Sequence, residues 1–388
     1  MASGYADGND ANSLRHDPVF KLSVERPPLE PAQALASVPT FARLAHSGDR
    51  KDLYRLTQAL VEHFSARAPA PPAALGLDLD HADAPPHGPQ AFAFSNPPYR
   101  SYGYVPLCMC EGTSHAGVTA CLRPGTRPPG RAKAMLLVRL LAVRRRHWPR
   151  PHILGRGDSH CATPAVCAGL AHRRGIDFIF GWAGNAVLLR QAAPIMQEAR
   201  ALYQQRTAHA QAHGERLPAS SRVYEEFSYA AASWSQPWRV IVKAEGMAAG
   251  DHPRFVGTSR EAPTPQRVDA ELYCARGHCE NAIKAVQGDL QRDRPAATTF
   301  LANAMRLLLS CAAYLLHHAL RTPTLAHPPL ATAHPSTLIL TLCTVAPQVK
   351  QYKDRMLLHL PPSWPVKALL GRVTALLSVV PVPALNTS

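Results

Sequence analysis

An acid lies between phosphate-binding groups in the stretch YCARGHCENAIKAVQ, which runs from Tyr273 to Gln287. If the stretch is helical, each residue turns the chain by about 100°, so Arg276, Glu280 and Lys284 share one face with the two end residues. A carboxylate on that face could hold a metal ion, and its neighbours could bind phosphate oxygens. A solvated polar face is the alternative, and this stretch alone favours it. The choice depends on which other acids the fold brings to the same place.

Two further acids are predicted on strands. In GLDLD, leucine and aspartate alternate with the period of two that is typical of a strand, so Asp78 and Asp80 lie on one side of it. HILGRGDSH predicts a short strand that ends at a Gly-Asp turn, which places Asp158 at its carboxyl end. Convergent carboxylates bind Mg²⁺, and two such ions can activate a water or a 3′-hydroxyl for attack on a phosphodiester. The sequence therefore allows a metal site, provided that these acids converge with Glu280.

The charge of the chain favours a polyanionic partner. Its 388 residues are enough for two or three domains, and 42 Lys plus Arg against 27 Asp plus Glu give a formal net charge of +15. Nucleic acid fits this balance first and an anionic membrane surface second. Because polar residues interrupt the most apolar segment, residues 298–320, we predict a buried helix there and no membrane partner.

The N-terminal segment and the cysteines favour a cytoplasmic protein. The segment MASGYADGND is acidic and lacks an apolar signal core, so secretion is not expected. Nine cysteines are an odd number in a long chain, which suits a reducing compartment. A zinc site from Cys108 and Cys110, or from Cys274 and Cys279, is disfavoured because no His pair or second Cys pair has finger-like spacing.

Periodicity predicts helices and strands along a chain that 37 prolines interrupt. The predicted helices cover residues 51–64, 132–147, 163–174 and most of 269–320. The predicted strands, besides those that carry the acids, cover residues 102–107, residues 176–184 and three segments between 220 and 259.

The order and wording of these segments resemble the DDE-type insertion-sequence transposases, in the branch whose third motif is Y-x2-R-x3-E-x6-K. Within that branch the chain looks closest to the insertion-sequence thirteen-eighty family. The similarity covers nearly the whole chain, and the third motif is its most specific part, with three of four positions matched. The segments that carry it are GYADGNDANSLRHDPVFK, LDLDHADAPPHG, YGYVPL, GRGDSH, RRGIDFIFGWAGN, EEFSYAAASW, RVIVKAE, YCARGHCENAIK and FLANAMRLLLSCAAY.

The resemblance implies an α/β fold. We expect a ribonuclease-H-like catalytic core, in which helices flank a mixed sheet, with a β-rich insertion and helical N- and C-terminal parts. The expected domains are a helical N-terminal part (1–70), the first half of the core (71–190), the insertion (191–268), the second half of the core with the helix of the catalytic Glu (269–325) and a helical C-terminal tail (326–388). Family members usually carry several tens of residues before the point where this chain starts. The N-terminal part is therefore expected to be the remnant of a longer DNA-binding region.

The resemblance also implies the catalytic acids. Asp80 would be the first, Asp158 the second and Glu280 the third, and together they would bind two Mg²⁺ ions, for which Mn²⁺ can substitute. Asp78 stays an alternative for the first acid, because it shares a strand face with Asp80. The implied activity is Mg²⁺-dependent DNA cleavage at the transposon ends, followed by strand transfer into target DNA.

The third motif would contact the DNA as well. Tyr273 and Arg276 would bind phosphates of the transposon end, and Lys284 would add a point charge. The motif departs from the family at its fourth position, where Gln287 replaces lysine; an amide can hydrogen-bond a phosphate but carries no charge. The first motif departs at Ala82, where the family usually has threonine.

The resemblance implies DNA as the partner, both as terminal inverted repeats and as target, and a homodimer in the DNA complex. The expected location is the bacterial cytoplasm, at the nucleoid. One alternative is a catalytically impaired, truncated relic that binds DNA only through its basic surface; the two departures and the short N-terminal part support it, and the three acids argue against it. Another is a basic RNA-binding scaffold, which needs aromatic stacking platforms. Aromatic residues make up only 7% of the chain and are unclustered apart from YRSYGY.

Overall fold

A computed structural model of the protein describes most of the chain. The residues described are 1–5, 8–66, 71–96, 101–112, 117–126, 130–231, 234–289, 295–324, 328–353 and 355–378. The helices of the N-terminal part are α1 (Asp10–Leu14), α2 (Pro18–Leu22), α3 (Val38–Ser47) and α4 (Arg50–Ala66). The Asp49 carboxylate accepts hydrogen bonds from the amides of Lys51 and Asp52 at 2.7 and 2.9 Å. This cap starts α4 where the sequence predicts a helix.

A large mixed sheet forms the centre of the molecule. The strands, in chain order up to residue 258, are β1 (Ala74–His81), β2 (Phe94–Asn96), β3 (Ser101–Gly103), β4 (Leu107–Glu111), β5 (Gly117–Cys121), β6 (His152–Gly157), β7 (Ile176–Trp182), β8 (Ser221–Tyr229), β9 (Trp238–Met247) and β10 (Gly250–Thr258). Eight of them form one sheet in the order β5-β4-β1-β6-β7-β10-β9-β8, and β2 pairs with β3 alone.

The first five strands of this sheet have the ribonuclease-H-like arrangement. β1, β4 and β5 are antiparallel neighbours, whereas β1, β6 and β7 run parallel. The predicted fold class, a mixed sheet flanked by helices, is confirmed by this order and by the helices on both faces.

The helices that cover the sheet follow from the alternation along β1. They are α5 (Gly130–His147), α6 (Pro164–Ala171), α7 (Ala186–Ala212), α8 (Pro265–Arg267), α9 (Gly277–Lys284) and α10 (Phe300–Thr324). Leu77 and Leu79 are buried in one apolar cluster with residues of α5 and α6. Cys279 and Ile283 of α9 and Leu307 of α10 belong to a second cluster, which contains residues of β4 and β5. The aspartates that alternate with the two leucines therefore face the side of α9.

The predicted β-rich insertion, residues 191–268, differs from the expectation in two respects. Its first part belongs to the 27-residue helix α7. Its three predicted strands are present as β8, β9 and β10, but they extend the central sheet, because β10 pairs antiparallel with β7 through residues such as Phe255 and Trp182. This pairing covers the edge that β7 would otherwise expose. The domain boundaries themselves stay a prediction.

The segment YGYVPL was predicted as one strand, and this prediction is corrected. β3 ends at Gly103 and β4 starts at Leu107. Pro106 has no amide hydrogen to donate to a ladder, and its carbonyl instead accepts from the amide of Ala82 at 3.0 Å.

Helix α10 confirms the buried helix predicted for residues 298–320. Residues 300–321 are long and apolar enough to cross a membrane by length and composition, yet 61% of that window is buried inside the protein. A core helix of a folded protein has this pattern.

The C-terminal tail is only partly helical. It contains α11 (Pro328–Ala331), α12 (Pro335–Leu338) and α13 (Lys367–Ser378). A hairpin of β11 (Gln348–Gln351) and β12 (Met356–His359) lies between α12 and α13, which corrects the expectation of a helical tail. The alternation in QVKQ and MLLH is too short to distinguish from loop in the sequence.

Candidate active site

The predicted first and second acids lie at the same edge of the sheet. β1 and β6 are parallel neighbours whose register pairs Leu79 with Gly157. Asp80 and Asp158 each follow these paired residues by one position. Because the carboxyl ends of parallel strands meet at one edge, the two acids are brought together there.

Arg276 connects Asp80 with the predicted third acid. Its Nη1 donates to Asp80 Oδ2 at 2.8 Å, and its Nη2 donates to Glu280 Oε1 at 2.7 Å. The other oxygen of Asp80, Oδ1, accepts from the amide of His81 at 2.9 Å. The Asp80 and Arg276 side chains are 12% and 13% exposed, and Glu280 is 45% exposed. One guanidinium is therefore shared by two carboxylates at the rim of the fold.

The pKa of Asp80 depends first on burial and then on the charges around it. Burial raises the pKa of Asp80 to about 6; Arg276 acts to lower it, and the charges of Asp158 and Glu280 raise it. The two other acids are therefore close enough to repel the Asp80 carboxylate. A cation bound among these three acids would relieve that repulsion.

Asp158 is held in a turn by the residues that follow it. Its Oδ1 accepts from the amide of His160 at 3.0 Å, and its Oδ2 lies 2.8 Å from Nδ1 of the same histidine. Burial acts to raise the pKa of Asp158, but the hydrogen bond and charge of His160 outweigh it and lower the pKa. A Cβ on Gly157 would lie 2.8 Å from the Cβ of Cys161, so glycine is needed for this turn to close against the strand.

Asp78 is distinguished from Asp80 by a buried ion pair. Arg156 binds both oxygens of Asp78, with Nε donating to Oδ1 at 2.5 Å and Nη2 donating to Oδ2 at 2.9 Å. Its Nη1 donates to the carbonyl of Leu272 at 2.9 Å. The Asp78 side chain is fully buried. A carboxylate engaged in this way is a structural group, which favours Asp80 over Asp78 as the first acid.

Sequence reasoning missed Arg156. Its signal was an arginine between two glycines on a central strand, two positions before a strand-end acid. The space that it needs is also provided by glycine, because a Cβ on Gly112 would lie 2.1 Å from Arg156 Nη2.

The third motif is helical, as predicted, but not a regular α-helix. It runs through a π-helical turn (Val268–Tyr273), a 3₁₀ turn (Cys274–Arg276), α9 and a second π-helical turn (Ala285–Asp289). The 100° count for one face therefore does not apply along the whole stretch. Such π-helical turns often occur at functional sites.

The structure separates the five predicted residues of this motif. Tyr273, Arg276 and Glu280 lie at the sheet edge that carries Asp80 and Asp158, which we call the acidic rim. Lys284 is exposed. Gln287 is half-buried, and its Nε2 donates to the carbonyl of Asp83 at 2.8 Å. The amide expected at a phosphate thus has an internal partner, and its contact with DNA stays a prediction.

Tyr273 packs against the sheet beside Arg276. The Arg276 and Arg254 guanidinium carbons lie 6.0 and 5.6 Å from the centre of its ring. A Cβ on Gly181 of β7 would lie 2.3 Å from the Tyr273 hydroxyl oxygen, so only glycine leaves room for this ring. Burial raises the pKa of Tyr273, which keeps the hydroxyl protonated.

Two histidines that have no role in the sequence-based prediction lie close to Asp158. Among the described residues, one group of three possible metal ligands has its atoms within 4.8 Å of one another, and it consists of His81, Asp158 and His160. Asp80 and Glu280 do not belong to it. Their carboxylates are instead joined by Arg276.

Acids at the ends of two parallel central strands, with a third on the adjoining helix, define the DDE class of ribonuclease-H-like cores. The family model described as transposase DDE domain group 1 matches residues 1–382. The chain belongs to this transposase family, whose members generally use divalent metals. The resemblance to DDE transposases is therefore confirmed, and membership of the thirteen-eighty family stays a prediction.

The solved structures to which the chain is similar include that of the piggyBac transposase synaptic complex with hairpin DNA. The match covers 100% of this chain and 78% of that chain, with a TM-score of 0.43 and 11% identity. A likeness at this level carries no argument about function. No curated protein sequence matches the chain.

The buried ion pair gives a first prediction. Arg156→Met should lower the free energy of unfolding by about 3–5 kcal/mol, because it leaves the Asp78 carboxylate buried without its partner. The double variant Asp78→Leu/Arg156→Met should lose less free energy of unfolding than Arg156→Met alone, because it leaves no unpaired buried charge. Urea unfolding followed by circular dichroism measures both. Asp78→Leu alone completes the set. If the double variant loses as much free energy of unfolding as Arg156→Met and Asp78→Leu together, the two side chains do not act as a pair.

Arg276 gives a second prediction. Arg276→Ala removes the charge shared by Asp80 and Glu280. At pH 8 without metal, we therefore expect the free energy of unfolding to fall by about 1–3 kcal/mol. The variant should then gain more thermal stability from added Mg²⁺ than the wild type does, because the ion relieves a larger repulsion. Thermal unfolding with and without Mg²⁺ measures this difference.

A matched control for Arg276 is Arg267, which forms an exposed ion pair with Glu271 on the same segment. Arg267→Ala should change stability by less than about 1 kcal/mol and leave the response to Mg²⁺ as in the wild type. Equal Mg²⁺ responses of Arg276→Ala and the wild type would contradict the charge-sharing interpretation.

Proposed function

We propose that the chain is an active transposase that cleaves DNA at the ends of its element with Mg²⁺ and transfers the freed strand into target DNA. The observation that carries this proposal is the shared guanidinium at the sheet edge. The guanidinium of Arg276 donates to Asp80 at 2.8 Å and to Glu280 at 2.7 Å, which are the first and third predicted catalytic acids. Asp158 follows the neighbouring strand at the same edge. A site that only binds DNA has no need of three buried or half-buried acids that repel one another.

The acids fit the metal that this proposal needs. Asp80, Asp158 and Glu280 offer only oxygen ligands, which suit Mg²⁺, with Mn²⁺ as a substitute. Burial raises the pKa of Asp80 to about 6, and the charges of Asp158 and Glu280 also act to raise it, a repulsion that a divalent ion would reduce. When bound, two such ions supply an activated nucleophile and stabilise the leaving oxygen.

Arg276 and Tyr273 are suited to hold the DNA phosphate at this rim. The guanidinium already binds two oxygen anions, a geometry that also suits a phosphate. If a metal held by Asp80 and Glu280 neutralised these carboxylates, the fork of Arg276 would be free to bind a phosphate of the transposon end. Tyr273, whose ring lies against Arg276, limits the directions in which that fork can point.

The rest of the proposal concerns partners and location. The net charge of +15 supports salt-dependent binding of terminal inverted repeats and target DNA. Lys284 is exposed on the same segment as Glu280, so its ammonium is free to contact a DNA phosphate. We further propose a homodimer in the DNA complex, a cytoplasmic location at the nucleoid, and membership of the thirteen-eighty family.

A second candidate is a DNA-binding relic without catalysis. The observations that favour it are the two departures, Ala82 and Gln287, and the internal hydrogen bond that engages the Gln287 amide. The two candidates differ in metal-dependent nicking and agree in DNA binding.

Nicking of the element's terminal DNA separates these candidates. Asp158→Asn should lower Mg²⁺-dependent nicking by more than about 100-fold, because losing a metal ligand should exceed the 10- to 100-fold cost of losing a group that only supports one. Asp251→Asn makes the same change in an acid of β10 that pairs with Arg200, and it should nick as the wild type does. Equal nicking by the wild type and Asp158→Asn would support the relic.

Gln287→Lys tests the fourth position of the motif. If this position faces a phosphate, the added charge should increase the slope of log affinity against log salt by about 1. Titrations of terminal DNA at several salt concentrations measure the slope. Gln204→Lys adds the same charge to an exposed position of α7 and serves as the control. If both variants have the same slope, position 287 makes no phosphate contact.

A further inference from the structure

His81 is a buried side chain without a hydrogen-bond partner. It is the last residue of β1 and only 8% exposed. Both of its ring nitrogens are buried and make no hydrogen bond among the described residues. Because a buried polar group without a partner is destabilising, such a group calls for an explanation, and an ion that is bound in the working protein is one.

One ring nitrogen of His81 lies close to a second imidazole and to a carboxylate. The ligand atoms of His81, Asp158 and His160 all lie within 4.8 Å of one another. Bonds of about 2.1 Å to a shared ion keep ligand atoms within about 4 Å, so a small rotation of these side chains would complete a site. The two rings are already adjacent, with centroids 5.7 Å apart and an angle of 67° between their planes.

This group lies on the other side of the strand end from the acids. Successive residues of a strand point to opposite faces, so His81 and Asp80 diverge. Asp80 faces Arg276 and Glu280. Asp158 follows the end of β6 and is within reach of both faces.

Two positively charged side chains also lie beside the histidines. Lys133 is buried, and its ammonium donates to the main-chain carbonyl of His160. This bond holds the turn that carries Asp158 and His160. Arg123 is also buried nearby and raises the positive charge around the site, so Asp158 is the group that makes it attractive to a cation.

We propose that His81, Asp158 and His160 form a metal site with nitrogen and oxygen ligands, which selects Mn²⁺ or another first-row transition ion over Mg²⁺. Imidazole binds such ions well, whereas Mg²⁺ strongly prefers oxygen. The inference deepens the proposed function and rests on it only in sharing Asp158. An ion held there would fix the orientation of Asp158 toward the acids on the other face.

The test uses Mn²⁺ and the full chain. Mn²⁺ bound to the wild type should show ¹⁴N couplings from imidazole in pulsed electron paramagnetic resonance, and excess Mg²⁺ should not remove them. His81→Phe and His160→Ala should each weaken this Mn²⁺ site by at least about tenfold and reduce the nitrogen couplings. His87→Ala, at an exposed position outside the group, should match the wild type.

Two further results make the outcome decisive. Asp80→Asn should keep the nitrogen-coupled Mn²⁺ while it loses nicking, which separates this site from the proposed catalytic one. The proposed histidine site is wrong if the wild type binds Mn²⁺ through oxygen alone. It is also wrong if His160→Ala binds Mn²⁺ as the wild type does, with its nitrogen couplings intact. Either result leaves the proposed Mg²⁺-dependent nicking untouched. His160 is 35% exposed, so its variant tests the proposal if His81→Phe does not fold.

Discussion

The buried ion pair between Asp78 and Arg156 is the interaction on which the site depends. It joins β1 to β6, and the third nitrogen of Arg156 joins both strands to the carbonyl of Leu272, one residue before Tyr273. Burial raises the pKa of Asp78 even though Arg156 acts to lower it, so the pair is not simply a source of stability. Its effect is geometric: a bidentate fork allows one relative position of the two strands and of the third motif.

From this constraint follows the charge balance at the strand ends. Once β1, β6 and the third motif are fixed, Asp80, Asp158 and Glu280 must lie at one rim, and their mutual repulsion is unavoidable. Arg276 bonds to two of the three carboxylates, and Nδ1 of His160 lies within hydrogen-bond distance of the third. The protein thus folds around an acidic rim by supplying each carboxylate with a basic partner. In the proposed function, the residues that would hold a cation are already engaged by these partners, and a DNA phosphate would give Arg276 another anion to bind.

The sequence predicts the elements of this site better than their contacts. Alternation in GLDLD and the Gly-Asp turn place Asp80 and Asp158 on strand ends, because both signals are local. The parallel register that makes the acids neighbours is not local, and neither are the contacts of Arg156 and His81. The third motif shows the same limit. Its residue types indicate a polar helix, but the π-helical turns that aim Tyr273 and Arg276 depend on packing against Gly181 and Arg254.

The two positions that depart from the family pattern, Ala82 and Gln287, lie close together in the structure. Ala82 is buried in the apolar cluster that contains residues of α9, and the carbonyl of its neighbour Asp83 accepts the hydrogen bond from Gln287. This contact holds the end of the third motif against the segment that follows β1. A neutral amide satisfies that carbonyl in a half-buried place without needing a counter-ion, which a lysine would require unless it reached solvent or a phosphate. Gln287 therefore preserves the local fold at the site, and if position 287 contacts DNA as predicted, the missing charge would change DNA affinity more than the arrangement of the acids.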